Sequence, residues 1–343
     1  MPKQFLAKIQ EIYPGAAAGV LATMLSARRS TVRINPLKTD LVTLRRRFIE
    51  ERVKFQELGF PRGAFILNYP LRDFQRTAIY CQGLVYVQNV SSMIPPLALM
   101  PANQDKVLDL CAAPGAKTTQ LVSLAPQAEF IAVEKSRIRY YKLLANLSGQ
   151  GIRWRRPPDR LSCCDDEGAD YPGAAGTLVQ AQVSGNEPIV TVYLMDGIWV
   201  RKKFPEYFTK ILLDAPCSCE GRFDAFNLRT FKYWREQKVK EMVHTQKKLI
   251  NAAFSALAEN GEMVYSTCTF SPEENESLID WFLNKFKGKI ELLPMDLPLA
   301  NSFCGLTSWR GRRFCDSIKL TRRIMPNDHM EGFFVAKMKK ISL

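Results

Sequence analysis

The spacing of apolar positions changes along the chain, and the change divides it in two. From residue 5 to 25 they recur at helical spacing through Phe5, Ile9 and Ile12, with a break at Pro14-Gly15. Residues 31–36 alternate as a strand does and stop at Pro36. Residues 41–52 return to helical spacing with a basic face at Arg45, Arg46, Arg47 and Arg52, and 83–90 again reads as strand. These elements predict a small basic α+β domain over 1–85, and 88–104 leads out of it.

From residue 106 the rhythm becomes a regular alternation. Strands are expected at 106–110, 130–134, 189–194, 211–214, 262–266 and 332–338, and helices at 118–124, 138–147, 236–259 and 274–286. Alternating β and α elements build a parallel sheet with helices on both faces. The second domain, 86–343, is therefore expected to be α/β; six of its strands are legible, and a seven-stranded sheet is expected. Residues 153–187 break the rhythm with Pro157-Pro158, Cys163-Cys164-Asp165-Asp166 and scattered glycines, and read as an irregular insertion.

Composition narrows the function. With 46% hydrophobic and 24% charged residues, the 343-residue chain has the mixture of a packed protein, which excludes disorder throughout. No run approaches the roughly 18 apolar residues of a membrane span, and the start carries no apolar signal core. A cytoplasmic protein with no membrane partner is expected. Nine cysteines and two histidines show no paired zinc spacing, so neither a metal site nor a disulfide framework is expected. Cys217 and Cys219 form a CxC without a matching second pair. The net charge of +14, concentrated in 1–80, 137–160 and 300–343, points to a polyanion and hence to nucleic acid.

Three constellations follow predicted strands. The first, Cys111-Ala112-Ala113-Pro114-Gly115-Ala116-Lys117-Thr118, is a small-residue turn between strand and helix, where a nucleoside can approach the backbone closely. It matches neither G-x-G-x-x-G nor the P-loop, so a dinucleotide and a P-loop nucleotide are disfavoured. Glu134 ends the next strand, where an acid can accept from both ribose hydroxyls. Asp196 and Asp214 end the two strands after that; each alone could be a cap or turn former, but together they would face one cleft. The second and third constellations are Asp214-Ala215-Pro216-Cys217-Ser218 and Tyr265-Ser266-Thr267-Cys268, which present two candidate thiol nucleophiles at neighbouring strand ends. Cys81, Cys304 and Cys315 read as buried small hydrophobes.

These motifs, with Arg33-Ile-Asn-Pro-Leu-Lys38, Val87-Gln-Asn-Val-Ser-Ser92, Glu273-Glu-Asn-Glu276 and Gly332-Phe-Phe-Val-Ala336, give the chain its likeness. It resembles the Nop/Sun family of S-adenosylmethionine-dependent RNA cytosine-5 methyltransferases over nearly its whole length. The resemblance implies a Rossmann-like class I methyltransferase sheet preceded by a small RNA-binding domain, acting as a monomer on tRNA or rRNA. It implies S-adenosyl-L-methionine on the loop from Cys111 to Lys117, with the ribose on Glu134 and with Arg139, Asp196 and Asp214 beside the cofactor. Cys268 matches the nucleophile, Cys217 the cysteine that assists product release, Asp214 the acid that also holds the base, and Lys117 a lysine lining the site. Arg33, the 45–47 run and Arg153, Trp154, Arg155 and Arg156 would then hold RNA, with Trp154 equally readable as core.

The chain departs from the family pattern at three places. Ala116 and Cys219 stand where glycines are usual, and the 153–187 insertion makes Asp170 a competitor for the role of Asp196. The reading from another class is a catalytically silent RNA-binding or ribosome-assembly factor of the same fold, against which the intact Cys217 and Cys268 argue.

Overall fold

The computed structural model describes residues 1–158 and 188–342. Helices α1 (Lys3–Ile12) and α2 (Ala17–Met24) open the chain. A small layer follows: β1 (Thr31–Ile34), α3 (Leu41–Glu50), β2 (Phe55–Glu57), β3 (Ala64–Leu67), the single turns α4 (Leu71–Phe74) and α5 (Ala78–Cys81), and β4 (Val85–Val87). Its strands pair antiparallel in the order β2-β3-β1-β4.

All of β1 and β3 is buried, so both faces of this sheet are covered. On one face Leu44 and Phe48 of α3 pack with Val32, Phe65 and Leu67. The other face meets the large domain, and there Arg33 behaves differently from the RNA contact expected of it. It is 6% exposed; its Nε donates to Gln88 Oε1 at 2.9 Å and its Nη2 to Thr119 Oγ1 at 3.1 Å. Desolvation pulls its pKa down to about 10. Arg33 is thus a tie between the two layers. Arg45 and Arg46 are exposed and Arg47 half-buried, but the three pair with Glu57, Glu50 and Glu51.

The connecting stretch is a helix, α6 (Val90–Leu99), despite Pro95 and Pro96 inside it. Asn89 caps it by accepting from Ser91 N at 3.0 Å, and its apolar side chains are buried in the main core. Burial outweighs the hydrogen bonds that two prolines cannot donate.

The large domain continues with β5 (Lys106–Asp109), α7 (Ala116–Leu124), β6 (Glu129–Glu134), α8 (Arg137–Gly149), β7 (Arg153–Arg155), β8 (Ile189–Leu194), α9 (Val200–Lys203), β9 (Phe208–Asp214), α10 (Glu236–Ala256) and β10 (Leu257–Thr267). It closes with α11 (Glu276–Lys285), β11 (Ile290–Leu293), β12 (Ser302–Cys304), the hairpin β13 (Ser308–Trp309) and β14 (Arg312–Arg313), β15 (Arg322–Ile324) and β16 (Phe333–Lys340). The sheet runs β12-β15-β16-β10-β9-β5-β6-β8-β7, with β11 also on β16. It is the expected α/β sheet, Rossmann-like in its parallel centre, but it has ten strands among the described residues where seven were expected.

The additional strands lie at the edges. β7 falls where the irregular insertion was expected to begin; it pairs parallel with β8, and three residues are too few to show a period. Its Trp154 belongs to the core side of its two readings: half-buried, it packs on the main core and donates Nε1 to Ser148 Oγ at 2.9 Å. The rest of the insertion, including Asp170, Cys163 and Cys164, lies outside the described residues. From β7 to β10 every neighbouring pair is parallel, so six strands turn their carboxyl ends to one side of the sheet.

Helices α1 and α2 pack on the loops after β9 and β10 and not on the small sheet. Phe5 meets Phe223 at 4.8 Å between ring centroids, Tyr13 meets Phe270 at 5.9 Å, and Trp234 and Phe231 join them. Beneath these loops lies a buried ion pair. Arg323 donates to both oxygens of Glu276 at 2.6 Å and to the Phe270 carbonyl at 2.9 Å. Glu276→Gln leaves that guanidinium buried without its counter-charge, and urea unfolding is expected to show a loss of about 3–5 kcal/mol.

Candidate active site

Parallel pairing of β9 with β10 sets Asp214 opposite Ser266. The bond from Ala215 N to Ser266 O, 2.9 Å, carries the pairing one residue further, and the two chains then turn together. Cys217 and Cys268 meet in that turn with their Sγ atoms 3.4 Å apart. Cys219 adds a third thiol 4.0 Å from Cys217, and the three sulfurs lie within 4.8 Å of one another. The CxC spacing places Cys219 near Cys217, but nothing in the spacing joins it to Cys268, 49 positions away.

Three thiols in contact titrate as a group. The first anion is favoured on Cys219, because Cys217 and Cys268 can both donate S–H to it; Arg222 and Arg139 add a smaller attraction. Cys217 is pushed well up by its contacts with Cys219 and Cys268, and by burial. Cys268 is drawn down by Cys217 but pushed further up by Cys219 and by burial, and so ends high. The free site therefore keeps Cys268 as a thiol.

Beside the thiols stands a charged pair. Lys117 Nζ lies 2.7 Å from Asp214 Oδ2 and donates to Ser92 Oγ at 2.8 Å, while Ser266 Oγ donates to Asp214 Oδ1 at 2.8 Å. Lys117 is thereby held at the start of α7 and aimed at the Asp214 turn. The Ser92 contact also gives the Val87–Ser92 motif a place in the site.

The loop after β5 is built for close approach. Gly115 has φ +108°, and a side chain there would press on Leu143. Glu134 accepts from Ala113 N at 3.3 Å and from Ser136 N at 2.8 Å, with Arg139 Nη1 3.6 Å from the same carboxylate. Arg139 also donates to the Ala113 carbonyl. Cys111, Ala112 and Ala113 line this turn, with the Cys111 thiol pushed well up by burial, and Pro114 O accepts from Asn146 Nδ2 at 2.7 Å. Asp109, which carried no role in the sequence, is 2% exposed. Its Oδ2 accepts from Thr118 at 2.7 Å, its Oδ1 has no partner among the described residues, and burial pushes its pKa up to about 7. An unpartnered buried acceptor beside an open glycine turn fits a hydrogen-bonding, cationic ligand such as S-adenosyl-L-methionine.

Asp196 lies beyond the end of β8, where its carboxylate accepts from Ile198 N at 3.1 Å and pairs with Lys135 at 2.6 Å. Both the cap reading and a place at the sheet's carboxyl edge therefore hold for it. The three cysteines read as buried hydrophobes are otherwise: Cys81 and Cys304 are exposed and Cys315 half-buried. Each sits in a peripheral segment, where apolar character in the sequence does not translate into depth.

With this geometry in hand, comparison with known proteins is decisive. The sequence profile of the 16S rRNA methyltransferase RsmB/F family matches residues 96–166 and 181–339. The chain belongs to this family.

Among the relatives of this RsmB/F chain, a tRNA (cytosine(49)-C(5))-methyltransferase of Pyrococcus abyssi is 31% identical, over 91% of this chain and 88% of the relative. A ribosomal RNA small subunit methyltransferase F of Vibrio atlanticus is 33% identical over the whole chain, which spans 64% of that longer protein. A methyltransferase homologue from Pyrococcus horikoshii has the same fold, with a TM-score of 0.78 and 26% identity over 99% of this chain and 96% of its own. No helix among the described residues is long and apolar enough to cross a membrane.

The loops that carry the thiols rest on buried acids that sequence reading quoted only as motif or passed over. Glu274 accepts from Ser218 N at 3.0 Å and from Gln246 Nε2 at 2.7 Å, and Ser218 Oγ also donates to it. Glu220, fully buried, accepts from Thr269 and Ser271 hydroxyls, Phe270 N and Trp234 Nε1. Burial, with Glu220 close by, pushes Glu274 up to about 8 from an ordinary 4.5. A carboxyl whose pKa rises on folding stabilises the fold at low pH, and that contribution is lost as pH climbs from about 4.5 through about 8. Over that window Glu274→Gln is expected to flatten the decline in unfolding free energy relative to wild type, as read by denaturant titration at a series of pH values.

Proposed function

We propose that this chain methylates carbon 5 of a cytidine in tRNA or rRNA, acting as a monomer, with S-adenosyl-L-methionine as methyl donor and through a covalent bond between Cys268 and the base. The observation that carries this reading is the contact of Cys217 and Cys268 at 3.4 Å beside the Lys117–Asp214 pair. Membership of the RsmB/F family and the names of its relatives support it.

Carbon 5 of cytosine is a weak nucleophile. Addition of the Cys268 thiolate at carbon 6 turns the ring into an enamine whose carbon 5 can accept an electrophilic carbon. Asp214, fixed by Lys117 and Ser266, holds the amino and ring-nitrogen edge of the base and stabilises the charge that develops there. The thiol cluster supplies the activation: as the base arrives, Cys268 gives its proton to the thiolate favoured on Cys219, whose sulfur lies within 4.8 Å of it.

Bound S-adenosyl-L-methionine supplies the sulfonium-activated methyl group. The residues that would hold it are the Cys111–Lys117 turn, Glu134, Arg139, Asp109 and Asp214, with Asp196 at the outer edge. After transfer, carbon 5 carries both methyl and proton. Cys217, or a base or water it positions, promotes loss of that proton to solvent; the carbon 5–carbon 6 double bond re-forms, and the Cys268 sulfur leaves with the electron pair of its bond to carbon 6. Two thiols in contact thus open and close one covalent cycle.

Two substitutions test the cycle with labelled cofactor and bulk unmodified RNA. Cys268→Ala is expected to lose methyl incorporation by roughly 10⁴-fold or more; activity equal to wild type would remove Cys268 as nucleophile. Cys217→Ala is expected to accumulate a protein–RNA adduct that survives a denaturing gel, and normal turnover without adduct would remove its release role. Sequencing of bisulfite-treated RNA then identifies the cytidine.

A further inference from the structure

Next to the thiols a cavity of about 380 Å³ opens between the end of α2 and the turn after β9. Its wall includes Cys219, Arg222 and Phe223 from that turn, Arg28 just past α2, and Glu331 before β16. It is large enough for one nucleotide and begins one sulfur away from Cys268. Of its side chains, only Cys219 and, through its charge, Arg222 enter the thiol chemistry described above.

Two guanidinium groups in this cavity have open donors. Arg28 gives one bond, Nη2 to the Phe223 carbonyl at 3.2 Å, while its Nε is buried and has no partner among the described residues. Arg222, 59% exposed, makes among the described residues only a long side-chain contact, Nε to Glu331 Oε1 at 3.7 Å. A buried guanidinium donor left unpaired costs desolvation energy that a planar oxyanion would restore, since arginine offers its N–H groups in a fork matched to phosphate. Hydroxyls at Thr23, Ser26 and Thr230 add to a polar lining that also holds the Asp224 and Glu331 acids, whose charge the two guanidinium groups balance.

The cavity is also rigid where it needs to be. Met24 O accepts from Ala225 N at 2.9 Å, and Lys8 of α1 reaches Ser271 Oγ and Glu273 Oε2, both at 2.8 Å. Helix α2 is thereby locked to the turns that carry Cys217 and Cys268. On the same loop that lines the cavity, Phe226 and Tyr233 stand 75% and 78% exposed, large aromatic faces in water next to a polar groove. Exposed aromatics beside cations are what single-stranded RNA stacks on.

We infer that the cavity holds the nucleotide adjacent to the target cytidine, with its phosphate on Arg28 and Arg222 and the following bases stacked on Phe226 and Tyr233. The N-terminal helices are then a wall of the RNA site. This rests on the RNA-methylating reading above, and the test separates the two.

Filter binding with pooled unmodified tRNA and small-subunit rRNA transcripts measures Kd between about 50 and about 200 mM salt, without requiring turnover. Arg28→Ala is expected to weaken binding about tenfold or more and to lower the salt slope by about one, whereas Lys287→Ala, at an exposed cation just past α11, leaves affinity nearly unchanged. Arg28→Lys keeps the charge and so the slope, but recovers only part of the affinity because it lacks the fork. Thermal melting checks that each variant is folded, and Arg28→Lys carries the test if Arg28→Ala is not. Arg28 variants that bind as Lys287→Ala does, in an enzyme that methylates RNA, overturn the inference alone. A wild type that binds RNA through Arg28 but transfers no methyl group overturns the functional reading and leaves the nucleotide site.

Discussion

Parallel strands hold their neighbours about 4.8 Å apart along the whole length of the pair, and everything in this site depends on that spacing. β9 and β10 are in register to their last residues, Asp214 against Ser266, so the turns that leave them start side by side. A thiol two or three residues into each turn then has little choice but to meet the other. No long-range folding of loops is needed to bring Cys217 to Cys268. The same constraint places Lys117 correctly, since β5 is the next strand over and its loop opens at the same edge.

A turn pinned at one end still has to be held at the other. Three buried carboxylates do this from below: Glu274 under Ser218, Glu220 under Thr269 to Ser271, and Glu276 through Arg323 to the Phe270 carbonyl. Glu274 and Glu220 accept from backbone and hydroxyl donors of segments that bear a cysteine, while Glu276 acts on its segment through Arg323. Buried polar networks of this kind add little net stability, but when every donor is satisfied they admit one arrangement. Two glycines close the assembly: a side chain on Gly221 would overlap Gly332, and one on Gly332 would overlap Phe270. The three sulfurs are therefore fixed by buried groups beneath the turns that carry them.

Much of this was legible in the residues themselves. The strand ends, the small-residue turn after β5 and the two cysteines follow from period and motif, because strand spacing and turn chemistry are local properties. What was not legible depends on contacts between distant segments. Arg33 looks like a free cation until β4 and α7 close over it, and α6 looks like a break because its prolines matter less than its burial. Asp109 and Glu220 look like ordinary acids, as nothing near them in sequence announces full burial. The convergence of Cys219 with Cys268 is likewise a property of sheet register.

Net charge is the feature whose meaning changes most. The +14 excess points to a polyanion, but many of its cations are already committed. Arg33 is buried, the 45–47 run pairs with acids on its own layer, and Arg323 serves Glu276. Exposed pairs such as Arg46 with Glu50 are weak and salt-screened, so they shape the long-range field more than they hold any one phosphate. An arginine matters for recognition when its donors are both desolvated and unspent. By that measure the informative cation is Arg28, in a stretch where the sequence shows only one more basic residue, and it stands beside the thiols.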